Sequence, residues 1–171
     1  AAATLDAAGA AARALGMPPA DVYEPDGAPN GQNVPTSTLA SNAYYHQALA
    51  HHLRGEWAAA RAAHDDAMRV ASANPDQLVA SAAWAWVSAV LNGDSPDAAT
   101  RRYLAAVPLD GSLAPALYEN GVYYDLCRCH AGAPGYSPAA LLARYENASA
   151  ISFATVGYGV AMPPLRVGDS G

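Results

Sequence analysis

Residues Leu39 to Asp76 read LASNAYYHQALAHHLRGEWAAARAAHDDAMRVASANPD. Two helical periods meet at Gly55. Tyr44, Ala48, His51 and Gly55 recur at steps of four, three and four, so they share one helix face; Asn42, Tyr45, Leu49 and His52 share another. Thr36 or Ser37, just after Pro35, is placed to cap the first helix. Gly55 is expected to stop it, because glycine takes the left-handed conformation without steric cost. The second helix starts at the acidic Glu56 and carries Trp57, Ala60, Ala63 or His64, and Ala67 at steps of three and four. Small residues at Ala48, Ala60 and Ala67 would let the two axes come close. Asn74 and Pro75 end the hairpin.

The composition fits one globular domain. The 171 residues are 52% hydrophobic and 14% charged, rich in alanine and therefore in helix propensity. All nine basic residues are arginine, and the net charge of −6 argues against a nucleic-acid partner, which wants a basic patch. The longest apolar run, Leu78 to Leu91, is too short to span a membrane and holds two serines, so it reads as a buried helix. With no signal peptide visible the expected location is cytoplasmic; the start at Ala1 leaves a processed secreted chain as the alternative. Cys127 and Cys129, two apart on a helix, point to opposite sides, and free thiols are expected.

The hairpin resembles a tetratricopeptide repeat, a helix-turn-helix unit of about 34 residues. The resemblance rests on Tyr44, Ala48, Gly55, Trp57, Ala60 and Ala67, in that order. Gln47, His51 and His64 depart from it where the family has larger apolar or aromatic residues, and Pro75 falls about three residues late. It implies an all-α fold of stacked antiparallel hairpins. It also implies that first helices line a concave groove. Carried over, the groove face of this hairpin is Asn42, Tyr45, Leu49 and His52, and the implied function is binding a protein or peptide segment as a scaffold or adaptor.

The rest of the chain is divided on the same pattern. Residues 1–16 form an N-terminal helix, 17–35 a Pro- and Gly-rich connector, 36–153 three hairpins, and 154–171 an irregular tail. Gln77 to Asn92 is the third main helix, ended by Gly93. Ser95-Pro96-Asp97 caps a helix running to about Val107. The step from Gly55 to Gly93 is 38 residues and aligns Ala60 with Ala98 and Ala67 with Ala105. Leu113 to about His130 is the next first helix, and Ser137-Pro138 caps a helix over Ala139 to about Phe153.

Catalytic and metal chemistry find little footing. No pair among His46, His51 and His52 has zinc spacing on a helix, and neither a metal nor a cofactor is expected. A site between helices drawing on His46, His51, His52, His64, Cys127, Cys129 or His130 stays open. Asp65, Asp66, Glu119, Tyr124 and Asp125 are the acid-base candidates, but their spacing suits solvated helix surfaces, and no catalytic residue is assigned. The alternative functions are an enzyme or small-molecule domain with a Tyr- and His-lined pocket, or an assembly domain of a larger complex. Thr155 to Gly159, TVGYG, is identical to the potassium-channel filter, but with no spanning helices around it the match reads as chance.

Overall fold

The computed structural model describes residues 37–71 and 74–167, and outside them only Ala7, Ala10 and Ala14, each helical. The expected N-terminal helix and the 17–35 connector otherwise lie outside the described residues. Among the described residues from 37 on, seven α-helices follow in order: α1 Leu39–Leu53, α2 Trp57–Ala71, α3 Pro75–Leu91, α4 Pro96–Ala99, α5 Gly121–His130, α6 Pro138–Tyr145 and α7 Ala150–Val167. A π-helical stretch, Thr100–Leu104, continues α4, and a 3-10 turn spans Ala114–Ala116. There is no strand among the described residues, and no described helix is long and apolar enough to cross a membrane.

The centre of the molecule is α3. A helix that is apolar all round must be covered all round, and 15 of its 17 residues are buried. It packs on α2, α5, α7, the α4 stretch and, more lightly, α1. Alanines 80, 82, 83, 85 and 89 keep its surface shallow, so neighbouring axes can approach. Asn74 caps its start and Pro75 takes the first position, where no N–H is needed. Gly93 (φ +104°) closes its end: the Gly93 and Asp94 amides return to Val90 and Ala89 at 3.0 Å each. Trp84 and Trp86 face opposite ways, as their spacing requires. Trp86 donates to Thr100 Oγ1 at 3.0 Å and stacks on His130 at 3.8 Å, while Trp84 meets His52, Tyr123 and Tyr158.

The α1–α2 hairpin forms as its spacing predicts. Tyr44, Ala48, Ala60 and Ala67 are completely buried, and Ala40, Tyr44, Ala67 and Val70 make a small core of their own. Gly55 (φ +73°) is the stop, with the Gly55 and Glu56 amides bonded back to His52 and His51. The N-cap is Thr38, slightly later than expected, because Thr38 and Ser41 form a reciprocal capping box.

Three expectations fail further along. The helix expected over Leu113 to His130 begins only at Gly121. Pro115 and an extended Leu117 precede it, and the buried Asp76 carboxylate captures the amides of Tyr118, Glu119 and Asn120 at 2.9, 3.0 and 2.8 Å. Those donors are held in a loop instead of a helix. The helix expected to reach Phe153 ends at Tyr145, and a new one starts where Ser149 Oγ accepts the Ser152 amide at 3.2 Å. Of the expected irregular tail, residues 154–167 are instead the body of α7, and 168–171 lie outside the described residues. Val156 and Val160 enter the core, and Gly159 lets α7 close onto Leu126. TVGYG lies inside this helix. The 38-residue step does not carry into burial, since Ala105 is exposed where Ala67 is buried.

Candidate functional site

The side chains of α1 divide into three groups. Tyr44 and Ala48 face α2, and His51 at its end bonds Glu56 at 2.7 Å, which holds that carboxyl below its usual range. His52 lies beneath the surface. Its Nδ1 meets Ser88 Oγ at 2.9 Å and its Nε2 meets Tyr158 Oη at 2.8 Å, while the rings of Trp57, Trp84 and Tyr158 stand edge-on around it. Burial pushes its pKa down to about 4. A serine bonded to a histidine is the beginning of a nucleophile–base pair. Here Ser88 is completely buried, so no substrate reaches it, and the chain Ser88–His52–Tyr158 ties α1 to α3 and α7.

Asn42 and Tyr45 open onto a pocket of about 270 Å³, lined also by His46, Gln77, Ala80, Glu119, Asn120 and Tyr123. Three separate segments build it: the first half of α1, the first turns of α3, and the loop leading into α5. Asp76 is what brings the third segment there, because its hydrogen bonds fix residues 118–120 over the start of α3. A carboxylate with three amide donors is well compensated for its burial.

The phenols of Tyr45 and Tyr123 meet at 3.3 Å across the pocket. Burial, reinforced by Tyr123, raises the Tyr45 pKa, so that phenol stays protonated at neutral pH. His46 uses Nδ1 on the Asn42 carbonyl at 2.9 Å, and the Asn42 amide donates to Ser37 Oγ at 2.9 Å. Gln77 is 7% exposed, and its Oε1 accepts no hydrogen bond. The pocket therefore offers amides, phenols, an imidazole and a carboxylate.

Of the four residues expected on one face, Asn42 and Tyr45 line this pocket, Leu49 is half-buried beyond it, and His52 is covered. Gln77, Asn120 and Tyr123 went unrecognised in the sequence. The Asn120-Gly121 pair was the available signal, since it marks a chain break beside an aromatic pair. Among the described residues no three His, Cys, Asp or Glu side chains converge as metal ligands. His64 is completely buried with neither ring nitrogen bonded. Cys127 is buried with its thiol toward the Val79 carbonyl at 3.6 Å, and Cys129 is half-buried.

No protein-family model, curated protein or solved structure matches this chain.

Proposed function

We propose that the chain is a binding module for an extended protein or peptide segment, received at the Asn42–Tyr45 face of α1. The observation that carries this is the pocket of about 270 Å³, in which two residues of that face stand opposite Gln77, Asn120 and Tyr123. Amide and phenol groups around a rigid concave wall suit a peptide, whose backbone offers both donors and acceptors. Burial of Tyr44, Ala48, Ala60 and Ala67 supports reading the hairpin as a tetratricopeptide-like unit that serves as this wall. The exposed Ala105 gives a regular array beyond it no such support.

Selection of a random heptapeptide display library against the whole chain tests the reading. Enriched peptides should lose at least tenfold in affinity on His46→Ala and on Tyr45→Phe, both with unchanged circular dichroism. Failure to enrich any peptide, or peptides indifferent to both substitutions, overturns it. A second reading, a small-molecule site, draws on the same cavity, whose size falls just below the range of ordinary ligand pockets.

A further inference from the structure

Two Asn-Gly pairs fall among the described residues, Asn92-Gly93 and Asn120-Gly121; a third, Asn30-Gly31, lies outside them. In such a pair the backbone nitrogen of the glycine can attack the carbonyl carbon of the asparagine side chain, because no Cβ shields the approach. Whether that nitrogen is free decides which pair reacts. Gly93 is not free: its N–H donates to the Val90 carbonyl at 3.0 Å, and the Asp94 N–H locks the same turn on Ala89 at 3.0 Å. Asn92 also caps the C-terminus of α3, where the helix field opposes a developing negative charge.

Gly121 differs in each respect. It is the first residue of α5, where an amide has no acceptor inside the helix, and its N–H donates to no described residue. It is exposed, and even a Cβ there would meet nothing within 4 Å, so the attack has room. The Asn120 side chain makes no capping hydrogen bond and lines the pocket, where solvent reaches it. The positive end of α5 favours the charge that the nitrogen gains as it loses its proton.

We infer that Asn120-Gly121 is a self-modifying site, at which the chain converts Asn120 to aspartate and isoaspartate with water as the only co-reactant. Asn120 (φ −96°, ψ +26°) first turns about its Cα–C bond. The turn gives up the bonds its carbonyl accepts from the Tyr123 and Tyr124 amides at 3.1 and 3.2 Å, in the end turn of a helix, where opening is easiest. Gly121 N loses its proton to solvent and bonds to Asn120 Cγ. The Cγ–Nδ2 bond breaks, ammonia leaves, and a succinimide ring is closed. Water then adds at either ring carbonyl. Cleavage of the Cγ–N bond restores the backbone with an aspartate; cleavage of the backbone C–N bond leaves an isoaspartate. One water enters and one ammonia departs, with no oxidation or reduction.

Either product alters the pocket. A carboxamide that both donates and accepts becomes a carboxylate that only accepts. The Asp76 carboxylate accepts the Asn120 N–H at 2.8 Å and the exposed Glu119 borders the same pocket, so the new charge arrives beside two like charges. Isoaspartate also inserts a methylene into the backbone next to the Asp76 bond. The effect on a partner rests on the peptide-binding reading above; the conversion itself does not.

The test ages the full chain at pH 8 and follows both pairs by peptide mapping. Mass spectrometry reads the exchange of an amide NH2 for a hydroxyl, and isoaspartate elutes apart from aspartate. In urea, where sequence alone acts, Asn92 and Asn120 should convert at comparable rates. In the folded chain Asn120 should convert at least tenfold faster than Asn92. Gly121→Ala, which the open space around that position tolerates, should slow Asn120 at least tenfold and leave Asn92 unchanged. Asn92 converting as fast as Asn120 in the folded chain, or no slowing by Gly121→Ala, overturns the inference.

Binding is read separately. Asn120→Asp should weaken the library-selected heptapeptides at least fivefold. Unchanged affinity would keep the conversion and refute its effect on the partner. If no peptide is selected at all, the peptide reading falls and the conversion stands or falls on its mass spectra alone.

Discussion

Replacing His64 by leucine should remove a specific part of the protein's acid sensitivity. His64 is completely buried on α2, neither ring nitrogen has a hydrogen-bond partner, and burial pushes its pKa down to about 3, with His52 nearby adding to the effect. In the unfolded chain the same imidazole titrates near 6.5. Below that pH the unfolded state takes up a proton that the folded state refuses, so stability falls as pH falls through 6.5 and goes on falling until about 3. Each pH unit in that window costs about 1.4 kcal/mol, so the descent from 6.5 to 4.5 costs about 3 kcal/mol from this one residue. His64→Leu keeps the volume similar and abolishes the term. Groups remote from His64 contribute equally to both proteins and cancel in the difference, while His52, which acts on His64, loses that neighbour in the variant. Urea unfolding followed by circular dichroism at half-unit pH steps gives both curves. At pH 8 the variant should lie within about 1 kcal/mol of the parent, or above it, because two unmade hydrogen bonds disappear. By pH 4.5 it should have gained about 3 kcal/mol on the parent. Parallel curves would show that His64 takes up its proton in the folded state, and the account of α2 as packed around a neutral histidine would be wrong.

Three further outcomes follow from named contacts. Asp76→Ala leaves the amides of Tyr118, Glu119 and Asn120 without their acceptor; about 3–5 kcal/mol should be lost, and melting curves would read it. A Cβ at Gly159 would lie 2.9 Å from the Leu126 methyls, whereas one at Gly157 meets nothing within 4 Å. Gly159→Ala should therefore destabilise by roughly 1–3 kcal/mol, and Gly157→Ala should stabilise by about 0.5–1 kcal/mol; equal melting temperatures would refute the α5–α7 packing. With a thiol reagent at pH 8, Cys129 should react slowly in the folded protein and Cys127 only on unfolding, since burial raises both thiols and Cys127 is completely covered.

The local devices were legible in the sequence and the long-range ones were not. Gly55, Gly93, Ser95-Pro96 and Ser137-Pro138 act where their chemistry says, because a cap or a stop depends only on neighbours along the chain. The Leu78–Leu91 run reads as buried, but only packing reveals that it, and not the α1–α2 hairpin, is the hub. The breaks at 117–120 and 146–149 are not set by local sequence alone. The first depends on Asp76, more than 40 residues away, which takes amides that a helix would otherwise use. The Pro and Gly content from Gly157 onward suggests an irregular tail. In the folded chain Gly159 is the contact that lets α7 dock on α5. The same limit applies to the site. Asn42 and Tyr45 could be placed on one face by period, but their neighbours Gln77, Asn120 and Tyr123 arrive through the Asp76 contacts.

The central claim is that a partner segment seats where α1, the start of α3 and the 118–123 segment meet. Hydrogen exchange of the whole chain, with and without a saturating library-selected heptapeptide, tests it most directly. Amides in three stretches distant in sequence, 42–46, 77–80 and 119–123, should gain protection together, while the α5–α7 surface is unchanged. Protection appearing instead on α6 or α7, with those three stretches unaffected, would contradict it.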